Sequence, residues 1–176
     1  MDEKRKKEAE KNFSKYLEEG LIKKQSNKTS KMMYLKNAEL SLKLAEDLME
    51  NKLKPYLWVI VISYYSMFYI ANAVLLDLGY KVGDKIVHKV TNECLIAVVF
   101  NKIKKGLLEE YEIAKDDALD IASIKSEEII NYYELELNKR SRFQYEMTES
   151  IKEQKALTSL KRARKFIFEM KKLLQT

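Results

Sequence analysis

Two arginines, a glutamine and a tyrosine fall within six positions of the segment NKRSRFQYE, residues 138–146. Arg140 and Arg142 each present N–H donors in a planar fork that matches a carboxylate or a phosphate. Gln144 adds an uncharged amide, and Tyr145 a hydroxyl that can donate or accept. Few other groups in the chain have chemistry to offer. His88 is the one histidine and Cys94 the one cysteine, so no intramolecular disulfide and no zinc-like spacing is available. No glycine-rich phosphate loop occurs either. A conventional metal- or nucleophile-dependent enzyme therefore has its usual constellations unfilled, and no cofactor is expected.

Helical spacing sharpens what the arginines need. At 100° per residue, Ile130, Tyr133 and Leu137 form one stripe, and that stripe continues through Arg140, Ser141, Gln144 and Thr148. An inward face thus changes from apolar to polar within one turn. Tyr145 lies at its edge and Arg142 points more to the side. A guanidinium on such a face requires a carboxylate, carbonyls or a phosphate, because an unpaired buried charge is costly. Glu136, four residues before Arg140, is one partner. The acids of a second subunit are another, and a phosphate-bearing guest is the third.

The elements that must hold these groups are helical throughout. With Gly 4 and Pro 1, the chain has almost no turn punctuation, while helix formers dominate its 176 residues. This length suits one domain. Residues 1–30 read as a charged helical extension, with Phe13, Tyr16, Leu17 and Leu21 at helical spacing and a polar loop, KQSNKTSK, after them. Leu35, Ala38, Leu42, Ala45 and Met49 mark an amphipathic helix. Pro55 stands where the next helix begins. From Tyr56 to Leu76 the chain carries no charge, long enough for a membrane span. Its serines, tyrosines and Asn72 favour instead a central helix covered by neighbours, in which the tyrosines are core rather than surfaces for stacking bases. Asp84 is the expected cap of a helix over 85–104, with His88 in its first turn. A charged segment near 107–122 and a long helix over 124–149 follow. Leu160, Ala163, Ile167, Met170 and Leu174 supply the seam of the last helix.

The formal charge of +6 is unevenly spread. Acids gather in residues 107–137 and bases in 139–172, which gives either a basic face that attracts phosphates or two helices that neutralise each other. The N-terminal MDEKRKKEAEKNF lacks an apolar signal core, and the lone cysteine fits a reducing interior, so the expectation is a cytoplasmic protein with no membrane segment.

The stretch YYSMFYIANAVLLDLGYKVGDKIVHKVTNECLIAVVF resembles the central and following helices of the HEPN domain family, the higher eukaryote and prokaryote nucleotide-binding domains, in its prokaryotic toxin-like branch. The later stretch KRSRFQYE…KALTSLKRARKFIFEMKKLL is similar to that family's motif arginine and closing helix. The resemblance covers roughly residues 33–174. It implies an all-α, up-and-down four-helix bundle with additional short helices over 31–176, commonly paired as a homodimer with the polar motif at a shared cleft. It further implies RNA or nucleotide as ligand. Many members are metal-independent endoribonucleases, often toxins paired with a minimal nucleotidyltransferase antitoxin, and others bind without cutting.

Carried over position by position, Arg140 takes the place of the motif arginine. Gln144 and Tyr145 stand at the acidic and tyrosine positions of its triplet, and His88 matches the histidine that opens the neighbouring helix. Arg140, Tyr145 and His88 are then the catalytic candidates. Arg140, Arg142 and Gln144 are the candidates for binding RNA or nucleotide. The catalytic form of the family places a histidine four to six residues after its arginine. Here those positions hold Gln144, Tyr145 and Glu146, and glutamine cannot act as a general base. Two readings follow: an RNA-directed protein that retains a modified ribonuclease site, and a non-catalytic nucleotide-binding or protein-interaction module. A helix-start histidine beside apolar residues also has a purely structural reading.

Overall fold

Local sequence sets the helix starts in turn. The Asp2 carboxylate caps α1 (Glu3–Glu18) by accepting the Arg5 backbone N–H at 2.8 Å, and Asn27 caps α2 (Lys28–Met49) by accepting from Ser30 N–H at 2.8 Å. Half of the expected KQSNKTSK loop is thus the cap and first turn of α2. Pro55, with no N–H to leave unpaired, precedes α3 (Tyr56–Asp77). Then follow α4 (Val87–Val99), α5 (Lys105–Tyr133) and α6 (Glu149–Leu173). The computed structural model describes residues 1–133 and 148–174, the side chains of 123–133 excepted.

The long helices α2, α3, α5 and α6 alternate in direction, as their ion pairs show. Lys31 at the start of α2 reaches Asp77 at the end of α3, 2.6 Å away. Arg164 of α6 meets Glu46 of α2 at 2.7 Å, and Lys165 meets Glu110 of α5 at 3.1 Å. The result is an all-α, up-and-down four-helix bundle with α1 and α4 as the additional short helices. At its centre lies α3, with 16 of its 22 residues buried, so the uncharged run is covered by its own neighbours. Its polar groups mostly find partners inside. Ser66 donates to the Ser63 carbonyl at 2.6 Å and Asn72 to the Phe68 carbonyl at 2.9 Å. Fully buried alanines at 38, 45, 71 and 163 let the helix backbones approach closely.

Two sequence expectations differ from the observed elements. Residues 105–133 form one helix rather than two, because Leu107, Tyr111, Ala114, Ala118 and Ile121 keep a buried stripe in phase and no glycine or proline interrupts it past Gly106. The cap of α4 is Ile86 rather than Asp84, in left-handed backbone (φ 42°) and with no side-chain cap bond. A short antiparallel ribbon was also not expected. In it β1 (Ile22–Lys24) pairs with β2 (Tyr80–Val82), Ile22 opposite Val82, which ties the end of α1 to the turn after α3.

The N-terminal segment docks rather than trailing away. Ala9 and Tyr16 of α1 are buried in the same core cluster as Tyr64, Cys94 and Phe166.

Candidate functional site

His88 is the second residue of α4, delivered there by the left-handed turn at Ile86. It meets one face of α3, where Tyr64, Tyr65 and Phe68 stand one helical turn apart or less. The imidazole centroid lies 4.7 Å from the Phe68 ring, 5.5 Å from Tyr64 and 5.7 Å from Tyr65. The Tyr64 hydroxyl is 2.7 Å from His88 Nδ1. Tyr64 is fully buried and itself packs on Tyr111 of α5, whose ring stacks on Phe166 at 5.1 Å. The Tyr111 hydroxyl is buried without a hydrogen-bond partner. Tyr64 is core, as the uncharged run predicts, and closed to any base, whereas Tyr65 is half-buried at the edge of the core.

Electrostatics keep the cluster neutral. Burial among the rings, and secondarily the Lys115 charge, holds the His88 pKa below its usual value. Burial likewise pushes the Tyr64 hydroxyl well above the usual tyrosine range, with Tyr111 adding to it. Cys94 is buried and its thiol is pushed up to about 12, which removes it as a nucleophile at neutral pH.

The neutral imidazole has two hydrogen-bonding arrangements. If the Tyr64 O–H donates to Nδ1, the hydrogen sits on Nε2 and the ring has no free lone pair for a substrate. If Nδ1–H donates to the Tyr64 oxygen, Nε2 is a base. Chemistry at His88 therefore depends on which partner holds the proton of this bond. Of the other sequence candidates, Arg140, Arg142, Gln144 and Tyr145, together with the internal partner Glu136, lie outside the described residues. His88 is thus placed, and its expected companions are not.

One polar cluster escaped sequence reading. Arg5 of α1 donates from Nη1 to Glu93 Oε2 at 3.0 Å and from Nη2 to Glu112 Oε1 at 2.8 Å, joining α1, α4 and α5. Asn12 donates to Glu93 at 3.0 Å and Asn92 to Glu112 at 2.9 Å. Glu93 is buried, which alone would raise its pKa; the hydrogen bonds from Arg5 and Asn12 outweigh this and lower it. The available signal was a single acid at 93 inside the apolar run of α4. Every carboxylate here is engaged by internal donors, so the cluster acts as a clasp.

A buried charge-free helix, a histidine opening the next helix and a closing basic helix now stand in the order that the sequence resemblance required. No curated protein and no solved structure matches the chain. The family model described as HEPN domain matches residues 32–173, which takes in most of α2 and all of α3, α5 and α6 but leaves α1 and β1 outside. With most of its length under that match and the bundle in place, the chain belongs to the HEPN domain family.

Proposed function

We propose that this protein is an RNA-directed HEPN module that holds an RNA phosphate with Arg140 and Arg142, and that it works as a cytoplasmic homodimer. HEPN domains generally bind nucleotide or RNA and often dimerise. The observation that carries the reading is the extent of the family match: residues 32–173 take in both the arginine segment and His88. Two guanidinium groups supply positive donors for a phosphodiester, a role for which arginine geometry is suited. Gln144 adds an amide that can bond to a base or a sugar.

On the catalytic branch of this reading, cleavage needs no metal. His88 Nε2 takes the proton of a ribose 2′-hydroxyl as that oxygen forms its bond to phosphorus. The bond from phosphorus to the departing 5′-oxygen breaks, Tyr145 supplies the proton that this oxygen requires, and Arg140 stabilises the charge gathered on the phosphate. Such a protein fits a toxin restrained by a nucleotidyltransferase antitoxin, with Tyr145 as the acceptor of a transferred nucleotidyl group.

A second reading, binding of RNA or nucleotide without cleavage, is favoured by a specific observation. His88 Nδ1 is occupied by Tyr64 at 2.7 Å within a packed ring cluster, and no histidine follows Arg140 at the family's catalytic spacing. Incubating the purified protein with total RNA in EDTA separates the two. Cleavage lost in both His88→Asn and Arg140→Ala supports the ribonuclease. Salt-sensitive binding lost only in Arg140→Ala, with RNA intact, supports the binding module. Absence of both cleavage and binding in the wild type overturns the RNA reading.

A further inference from the structure

The positive charge of this chain is concentrated in two short stretches. Residues 20–31 hold four lysines and no acid, and residues 78–89 hold three lysines and one acid, Asp84. Their joint excess equals the formal charge of +6 of the whole chain, so the remainder is balanced. The fold then brings the two stretches together. β1 and β2 lie within them and pair antiparallel, with Lys23 directly opposite Lys81.

Alternation along each strand decides where these side chains go. Ile22 and Val82, also opposite each other, are buried in the core, so Lys23 and Lys81 stand together on the outer face, both exposed. Backbone bonds hold the ribbon at both ends. The Gln25 N–H donates to the Gly79 carbonyl at 2.9 Å and the Gly83 N–H to the Leu21 carbonyl at 2.8 Å. Phe13 of α1 packs edge-on against Tyr80 at 5.1 Å. The burial of Ile22 and Val82 thus fixes a register that costs stability elsewhere, because like charges directly opposite, with Cβ atoms only about 4.5–5.5 Å apart, repel.

Nothing among the described residues relieves that repulsion. Lys23, Lys81 and Lys85 have no ion pair there, and the nearby Asp77 is taken by Lys31 at 2.6 Å. Two unrelieved ammonium groups on a firm ribbon are a poor structural device and a ready receptor for a phosphate. From β2 the chain runs through Gly83 and Lys85 into the turn that delivers His88, so the charge leads to the start of α4. Ile22 and Val82 are turned inward, so the pairing face offers charge without an apolar group to enter a lipid surface.

We propose that the outer face of the β1–β2 ribbon is a phosphate-backbone contact for RNA, with Lys23 and Lys81 sharing one phosphate and Lys85 continuing the track toward His88. It rests on the reading of RNA as the ligand and adds a contact to which Lys23 comes from outside the family match. Its grip is on phosphate alone, so it tolerates any base sequence.

Binding of a fluorescein-tagged oligouridine to the full chain is followed by anisotropy over a series of salt concentrations. Lys23→Gln combined with Lys81→Gln should weaken affinity about tenfold and lower the slope of log affinity against log salt by about 1.4. Lys7→Gln combined with Lys11→Gln, which removes the same charge from α1, should leave that slope in place. Lys81→Glu sets an acid opposite Lys23, so it should raise the urea midpoint while weakening RNA binding, a combination that a merely structural role does not give. Arg140-dependent binding with unchanged slope and affinity in the ribbon variants would overturn the contact and leave the RNA reading intact. Equal losses in the α1 and ribbon variants would also overturn it, reducing the effect to net charge. Binding of phosphatidylserine vesicles but not RNA, lost in the ribbon variants, would assign the face to a membrane and overturn both readings, as would a wild type that binds no RNA.

Discussion

At His88 a single proton position decides between chemistry and packing. The imidazole is held below its ordinary pKa by burial and by Lys115, so the folded protein takes its proton at lower pH than the unfolded chain does, near pH 6.5. Stability from this residue is then complete above about pH 6.5 and is lost as pH falls through the folded value. As the chain's one histidine, it gives one C2–H resonance in an untagged protein. The midpoint of that resonance is expected below 6.5, and Tyr64→Phe should move it by removing the hydroxyl at Nδ1. The clasp makes a separate prediction. Replacing Arg5 with Met leaves the buried Glu93 carboxylate without its main partner, at a cost of about 3 kcal/mol in urea unfolding. Adding Glu93→Leu should recover most of that loss, because the uncompensated charge is then gone.

Helices whose buried stripe repeats every three or four residues were legible directly, as in Leu35 to Met49 and Leu160 to Leu174, since periodicity is a one-dimensional property. What one dimension hides is pairing across distance. The ribbon joining Ile22 to Val82 uses backbone bonds between residues with no local signature, and Arg5 gives no hint that its acids are at 93 and 112. Of the candidate site residues, only His88 lies among those the structure describes. Arg140 and Tyr145 stood out by spacing, whereas the bond from Tyr64 to His88 required two helices to meet. The start of α4 was misread because Asp84 has the side chain of a cap, while the chain turns at Ile86 instead. That turn holds a β-branched residue in left-handed backbone, so Ile86→Asn should raise stability by up to about 1 kcal/mol in thermal or urea unfolding. It should leave the His88 resonance in place if α4 keeps its register.

For the molecule as a whole, the proposed pairing predicts a native mass by light scattering of twice the chain's 20.8 kDa, independent of added RNA. A mass of one chain at micromolar concentration would remove the shared cleft from the proposal. The helix outside the family match is bound by the clasp to the helix that carries His88, so its fate is tied to that of the bundle. This has a consequence for how the chain is made. Arg5 precedes its partner Glu93 by 88 residues and Glu112 by 107. At translation rates of about 5–20 residues per second, the first helix leaves the ribosome on the order of 5–20 s before its acids exist. Throughout that wait its lysines and glutamates keep it in water. The clasp therefore closes only once Glu112 has been made, tying the start of the chain to its middle.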